Sequence, residues 1–216
     1  MSNAITLDMK TPSIQYLCEK DKRLARVISM VGPITYSLHT ENIYSFLVHE
    51  IIEQMLSAKA GQKIFNRLET ICKGPVSPEA VNALSDEQLR EIGISSSKVK
   101  SIRGMTNTIL MGDLDFGSLS HLPDDLAINR LTALHSIGNW TAKMFLIFVL
   151  DRPDVLPFED GAFLQTYRWL YKTDEVSPES IKKKCKKWRP YSSYAARYMY
   201  RALNTGLTKE PFHLYK

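Results

Sequence analysis

The apolar residues of this chain recur at helical rather than strand spacing almost from end to end. Between Glu41 and Gln54, Ile43, Tyr44, Phe46, Leu47, Val48, Ile51 and Ile52 form a wide apolar stripe of the 3.6-residue period. A second helix is predicted from Ala58 to about Ile71, with Ser57 as its cap. The stretch "LSDEQLREIGI" reads as a short helix that starts at Ser85 and stops at Gly93, and "SSSKVKSIRGMTNTILMG" as another that ends near Gly112. After "LPDDL" the chain runs as helix to Leu134, turns at Ser136 to Gly138 and is helical again to Leu150. Two prolines deny regular structure to "DRPDVLPFED". Helices follow at Gly161 to Tyr171, Pro178 to Lys187 and Ser192 to Leu203, and no strand alternation, repeat or low-complexity run interrupts the pattern. The expected fold is all-α, about ten helices around a central cleft, with residues 1–12 as an N-terminal tail and 13–216 as one compact body of two helical lobes.

A chain of 216 residues, 44% of them hydrophobic, has enough apolar surface for a proper core. Its longest apolar run, Met144 to Leu150, ends at Asp151 and Arg152, far short of the roughly 20 residues a membrane span requires. No membrane partner is expected, no secretory signal is seen at the start, and the opening "MSNA" reads as partly tag-derived. Cys18, Cys72 and Cys185 are odd in number, far apart and without CxxC spacing, which argues for a reducing compartment and against a structural zinc. Net charge is only +5, but Glu179 to Arg201 contains eight basic residues and one acid, so this segment carries +7 and the remainder −2. A polyanion is the natural partner of such a segment, and a solvated helix face is the plainer alternative.

In "LHSIGNWTAKMF", Leu134 to Phe145, a sharp turn leads into an apolar helix. Gly138 is expected to take a backbone conformation closed to other residues and to let another molecule come close. The amides of Ile137, Gly138, Asn139 and Trp140 then face outward from a helix N-terminus, where a DNA phosphate is held by partial charge. Such a site positions a duplex without reading its sequence. Taken alone, the turn serves equally well to join two packed helices.

Downstream, "VLPFEDGAF" places Asp160 directly before the helix that begins at Gly161. Hairpin, Gly/Pro-rich loop and aspartate together resemble the helix-hairpin-helix DNA glycosylase superfamily, and within it the 3-methyladenine DNA glycosylase II branch. Two more stretches carry the resemblance: "EQMLSAKAGQKIFNRL" is similar to the family's Q-x-x-S-x-x-A-A wedge region, and "WRPYSSYAARYMYRAL" to its W-x-P-[WY]-R-S-Y-A-A-x-Y-x-W signature. It covers roughly residues 13 to 205. The resemblance implies that Asp160 is the catalytic aspartate, that Met55 wedges into the duplex, and that Trp140, Met144 and Tyr200 line the pocket for the extruded base. It also implies DNA contacts at Ser57, Ile137, Gly138, Asn139 and Thr141, and a Na+ or K+ ion on the backbone carbonyls of Thr132, Leu134 and Ile137.

Trp140 stands where bifunctional relatives carry a lysine nucleophile, so the resemblance implies a monofunctional glycosylase that leaves an abasic site. Without cysteine ligands no iron–sulfur cluster is expected, and no cofactor is required. The chain departs from the family pattern at His135 and Ser136 in the hairpin, at Ser192 in place of Arg, at Tyr200 in place of Trp, and at Met144, where an aromatic is frequent.

These residues suit the chemistry. A stacked base must be rotated out and its gap filled, and a flexible thioether such as Met55 fills an irregular hole; the plain alternative is a core methionine at a helix end. Breaking the N-glycosidic bond builds positive charge on the sugar, which a carboxylate stabilises while it orients water. The plain alternative for Asp160 is a helix cap. Alkylated purines of the 3-methyladenine and 7-methylguanine type carry positive charge and leave without a strong general acid, and Trp140 and Tyr200 favour such a base by about 0.5 to 2 kcal/mol per cation–π contact. The expected partner is double-stranded DNA with damaged bases, bound by a monomer in a bacterial nucleoid or a nucleus. The rival reading is a non-catalytic helix-hairpin-helix DNA-binding protein.

Overall fold

The structure, a computed structural model, describes residues 4–40, 42–113, 116–134 and 137–215. In chain order the elements are β1 (Ile5–Leu7), α1 (Pro12–Lys20), α2 (Lys22–Val31), β2 (Ile34–Tyr36), α3 (Ile43–Glu53), α4 (Ala58–Cys72), α5 (Pro78–Asn82), α6 (Asp86–Glu91) and α7 (Ser96–Leu110). They continue with α8 (Phe116–Leu119), α9 (Asp124–Thr132), α10 (Asn139–Phe148), α11 (Gly161–Tyr171), α12 (Pro178–Cys185) and α13 (Ser192–Asn204), and single 3-10 turns lie at Lys186–Trp188 and Leu207–Lys209. The chain divides into two compact units, Met1–Leu38 with Asp151–Lys216, and His39–Leu150. None of the helices is long and apolar enough to cross a membrane.

In the first unit α1, α2, α11 and α13 surround a core of Ile14, Leu17, Leu24, Ile28, Phe163, Tyr167, Trp188, Tyr198 and Met199. One acid sits inside it. Asp21 joins α1 to α2 and caps α2 by accepting the Arg23 and Leu24 amides. Its carboxylate also accepts the Tyr171 hydroxyl, the Trp188 indole N–H at 3.0 Å and the Lys187 ammonium at 3.0 Å. Burial opposes its ionisation, but the hydrogen bonds from Tyr171, Trp188 and Lys187 outweigh burial and hold the carboxyl below its usual range.

The basic segment is therefore less open to a polyanion than its charge implies. Lys182 lies 4.4 Å over the Phe158 ring, Lys184 5.0 Å over Tyr171, and Arg189 and Arg197 pair with Asp154 and Asp151. With Lys187 on Asp21, five of the eight cations have partners inside the unit.

In the second unit the buried stripe of α3, Leu47, Val48, Ile51 and Ile52, faces α4, α7 and α10. Local signals end these helices as the sequence indicates. Ser57 accepts the Ala60 amide, Ser85 forms a full capping box with Gln88, and Gly93 follows α6 with φ of +105°.

Two expectations are corrected. Thirteen α-helices are present among the described residues, not about ten. The expected N-terminal tail contains β1, which pairs antiparallel with β2 through Ile5–Tyr36, Thr6–Thr35 and Leu7–Ile34, and buries Leu7. Each strand is three residues long, too short to show alternation.

Candidate nucleic-acid interface and active site

The turn between α3 and α4 presents Met55. Its side chain is fully exposed, at 101% of its reference area, and its backbone is left-handed with φ of +60°. A core methionine is thereby excluded. Left-handed backbone is unfavourable for a residue with a Cβ, so the surrounding structure must hold it. The Leu56 amide donates to the Glu53 carbonyl at 2.9 Å, and Lys98 of α7 donates to the Ile52 and Gln54 carbonyls at 2.8 and 2.7 Å. Gln54 donates to the Thr141 hydroxyl of α10 at 3.4 Å. Gly61 of α4 runs so close to α3 that a Cβ there would lie 2.5 Å from Cγ of Glu53.

Thr141 was expected among the DNA contacts. Thr141 is only 1% exposed, and its hydroxyl accepts from Gln54 of the Met55 turn. Ser57, exposed, spends its hydroxyl on capping α4.

At the hairpin, α9 and α10 pack on each other. Residues 135 and 136, where the chain departs from the family pattern, lie outside the described residues. Gly138 differs from expectation: its φ is −83° with extended ψ, a conformation open to any residue. What its missing side chain provides is space, since a Cβ there would meet nothing within 4 Å. The Ile137 amide is also not presented outward, because it donates to the Leu134 carbonyl at 3.2 Å, and the Ile137 side chain is buried. The Gly138 and Asn139 amides have no acceptor among the described residues, and they open α10 at the positive end of its dipole. The carbonyls of Thr132, Leu134 and Ile137 are hard oxygen donors that suit a monovalent cation. The Leu134 oxygen keeps a second lone pair beyond the Ile137 amide, so its bond within the turn does not use up its capacity to accept.

Asp160 lies in the first unit, at the end of the irregular stretch 151–160. It is the N-cap of α11, and its Oδ1 accepts the Phe163 amide at 2.7 Å. At 8% exposure it does not point into solvent. The loop ahead of it is fastened to the start of α13. Asp154 accepts the Ser192 hydroxyl at 2.6 Å and Arg189 Nε at 2.7 Å, the Val155 amide donates to the Ser193 hydroxyl at 2.9 Å, and the Ser193 amide donates to the Pro153 carbonyl at 2.9 Å. Ser192, a departure from the family pattern, is thus one of the fasteners.

The remaining residues assigned to the pocket divide between the units. Tyr200, half-buried on α13, shares a unit with Asp160; Trp140, half-buried, and Met144, buried, lie on α10 with the hairpin and Met55. Gln54, Lys98, Asp154 and Ser193 were not singled out from the sequence. All four lie inside quoted stretches, Gln54 in the wedge region and Ser193 in the C-terminal signature, but none was given a role of its own. Lys98, Asp154 and Ser193 act across 35 to 46 residues, which no local pattern reveals.

A family model described as "HhH-GPD superfamily base excision DNA repair protein" matches residues 48–190. The chain is 29% identical over 189 residues, 86% of its length and 82% of the relative's, to DNA-3-methyladenine glycosylase 1 of Schizosaccharomyces pombe. Among solved structures it is 32% identical to a DNA-3-methyladenine glycosidase from Bacillus halodurans, with a TM-score of 0.80 over 97% of both chains. The Schizosaccharomyces pombe 3-methyladenine DNA glycosylase in complex with abasic DNA superposes with a TM-score of 0.83 at 25% identity, covering 95% of this chain and 100% of that one. The chain belongs to the HhH-GPD superfamily of base excision DNA repair proteins, in its 3-methyladenine DNA glycosylase branch.

Proposed function

We propose that this protein is a monofunctional DNA glycosylase that hydrolyses the N-glycosidic bond of alkylated purines flipped out of duplex DNA and leaves an abasic site. The observation that carries the reading is the buried carboxylate of Asp160, fixed at the head of α11 by the Phe163 amide. Charge developing at C1′ is best met by a group already in place, because nothing then has to reorganise as the bond breaks. A carboxylate offers about four lone-pair sites, so capping one amide does not compete with orienting water or stabilising the sugar cation. Trp140 and Tyr200 offer aromatic faces to a cationic base. Met55, exposed and held in a left-handed turn, fills the place of the extruded nucleotide.

Duplex phosphate is received at the Gly138 and Asn139 amides, with a Na+ or K+ ion on the Thr132, Leu134 and Ile137 carbonyls bridging to it. No iron–sulfur cluster or organic cofactor takes part in this reading. An indole at position 140 has no amine to form a Schiff base, which is why hydrolysis is expected without strand cleavage. The enzyme acts as a monomer on damaged double-stranded DNA, in whichever compartment holds the genome.

The test is incubation with N-methylated duplex DNA, chromatography of the released bases, and a parallel arm with borohydride. Free 3-methyladenine or 7-methylguanine without a trapped covalent complex is expected. DNA binding with no base released would leave a non-catalytic DNA-binding module, and a trapped complex would overturn the monofunctional assignment.

A further inference from the structure

The left-handed turn at Met55 leaves α3 with a specific deficit. A helix end exposes carbonyls that no following amide can reach, and here the chain reverses before the Ile52 carbonyl can take the Leu56 amide, which goes to Glu53 instead. The Ile52 and Gln54 carbonyls are both supplied by one group, the Lys98 ammonium. No carboxylate pairs with Lys98 among the described residues, and burial lowers its pKa. A cation half-withdrawn from water that donates to two carbonyls is placed for those carbonyls. They bracket the residues that set the direction of Met55.

From this geometry we infer that Lys98 is a positioning residue for base extrusion, clamping the two carbonyls that lead into Met55 from the end of α3 so that the exposed thioether is presented in one direction to the duplex. The inference rests on the reading of Met55 as the wedge. Lys98 makes no contact with the reacting atoms in this account; it acts through Met55. The ammonium suits the task because hydrogen bonds from a charged donor are roughly twice as strong as neutral ones, and a strained turn reverts when its restraints are removed. It also opposes the negative end of the α3 dipole. Gln54, bonded to Thr141, ties the same turn to the hairpin helix, so the wedge and the phosphate-receiving amides share one scaffold inside a single unit.

The experiment compares single-turnover excision of one 7-methylguanine placed opposite cytosine with excision of the same lesion opposite an abasic-site analogue, where no partner base has to be displaced. For Lys98→Met the paired substrate is expected to slow by roughly tenfold relative to the unpaired one, the size of one charge-assisted hydrogen bond. Met55→Ala is expected to shift the ratio in the same direction, and the double variant to shift it no further than Met55→Ala alone. If Lys98→Met does not fold by thermal melting, Lys98→Arg, which keeps the charge but moves the donors, is read by the same ratio. Equal slowing of both substrates would overturn the inference, since a purely structural or DNA-contacting lysine acts on both alike. A shifted ratio in Met55→Ala with none in the Lys98 variants removes Lys98 alone; an unshifted ratio in Met55→Ala removes the wedge and this inference with it.

Discussion

Oδ1 of Asp160 accepts the Phe163 amide at 2.7 Å, so the side chain assigned to catalysis is also the cap of α11. The two roles separate by substitution. Asp160→Ala removes the cap and is expected to cost about 1 kcal/mol, a fall in melting temperature of about 2 to 4 °C for a chain of this size. Asp160→Asn keeps a capping oxygen and is expected to melt with the parent. Calorimetry of the two variants checks this.

Met55 predicts an opposition between stability and activity. Met55→Gly relieves a left-handed backbone that costs a residue with a Cβ roughly 1 kcal/mol and, the side chain being fully exposed, gives up no packing. Its thermal stability is expected to stay level or rise slightly, while its single-turnover rate on a lesion opposite cytosine falls severalfold. A fall in both together would place Met55 in the fold rather than on the DNA.

Asp21 sets the acid limit of stability. Its carboxyl is held below the usual range in the folded chain, so its contribution is fully present above the unfolded value near pH 4 and is lost as pH falls through the lower folded value. Asp21→Asn is expected to lose about 2 to 4 kcal/mol at neutral pH, since it strips the charge from a buried network, and to flatten the decline of melting temperature below about pH 4. Melting curves from pH 2 to 7 for both proteins test the sign.

The loop that carries Asp160 is expected to transmit its anchoring to catalysis. Ser192→Ala breaks the 2.6 Å bond to Asp154, at an expected loss of about 1 kcal/mol, and is expected to slow base excision severalfold with DNA affinity unchanged; Ser192→Thr, which keeps the hydroxyl, restores the rate. Fluorescence anisotropy alongside excision kinetics separates the two effects.

Much of the architecture was legible because its determinants are local. Ser57 and Ser85 announce their helices through hydroxyls that cap the next turn, and the helix Gly161–Tyr171 is bounded by Asp160 in front and the left-handed Lys172 behind. Asp160 itself stood out through the family resemblance of the loop that ends in it. What the sequence did not disclose depends on distance along the chain. Charge counting overstated the basic segment because Asp21, Asp151 and Asp154, which engage Lys187, Arg197 and Arg189, are remote from it in sequence. Lys98 looks like an exposed helix lysine until α3 is folded against α7. Gly138 invited a left-handed assignment, yet the turn uses its lack of a side chain and not its conformational range.

The most direct measurement sets Asp160→Asn beside the parent protein on the same alkylated duplex, with affinity read by anisotropy and released base by chromatography. The account predicts unchanged affinity with excision reduced by at least about 100-fold. Release of base by the variant at the parent's rate would contradict it.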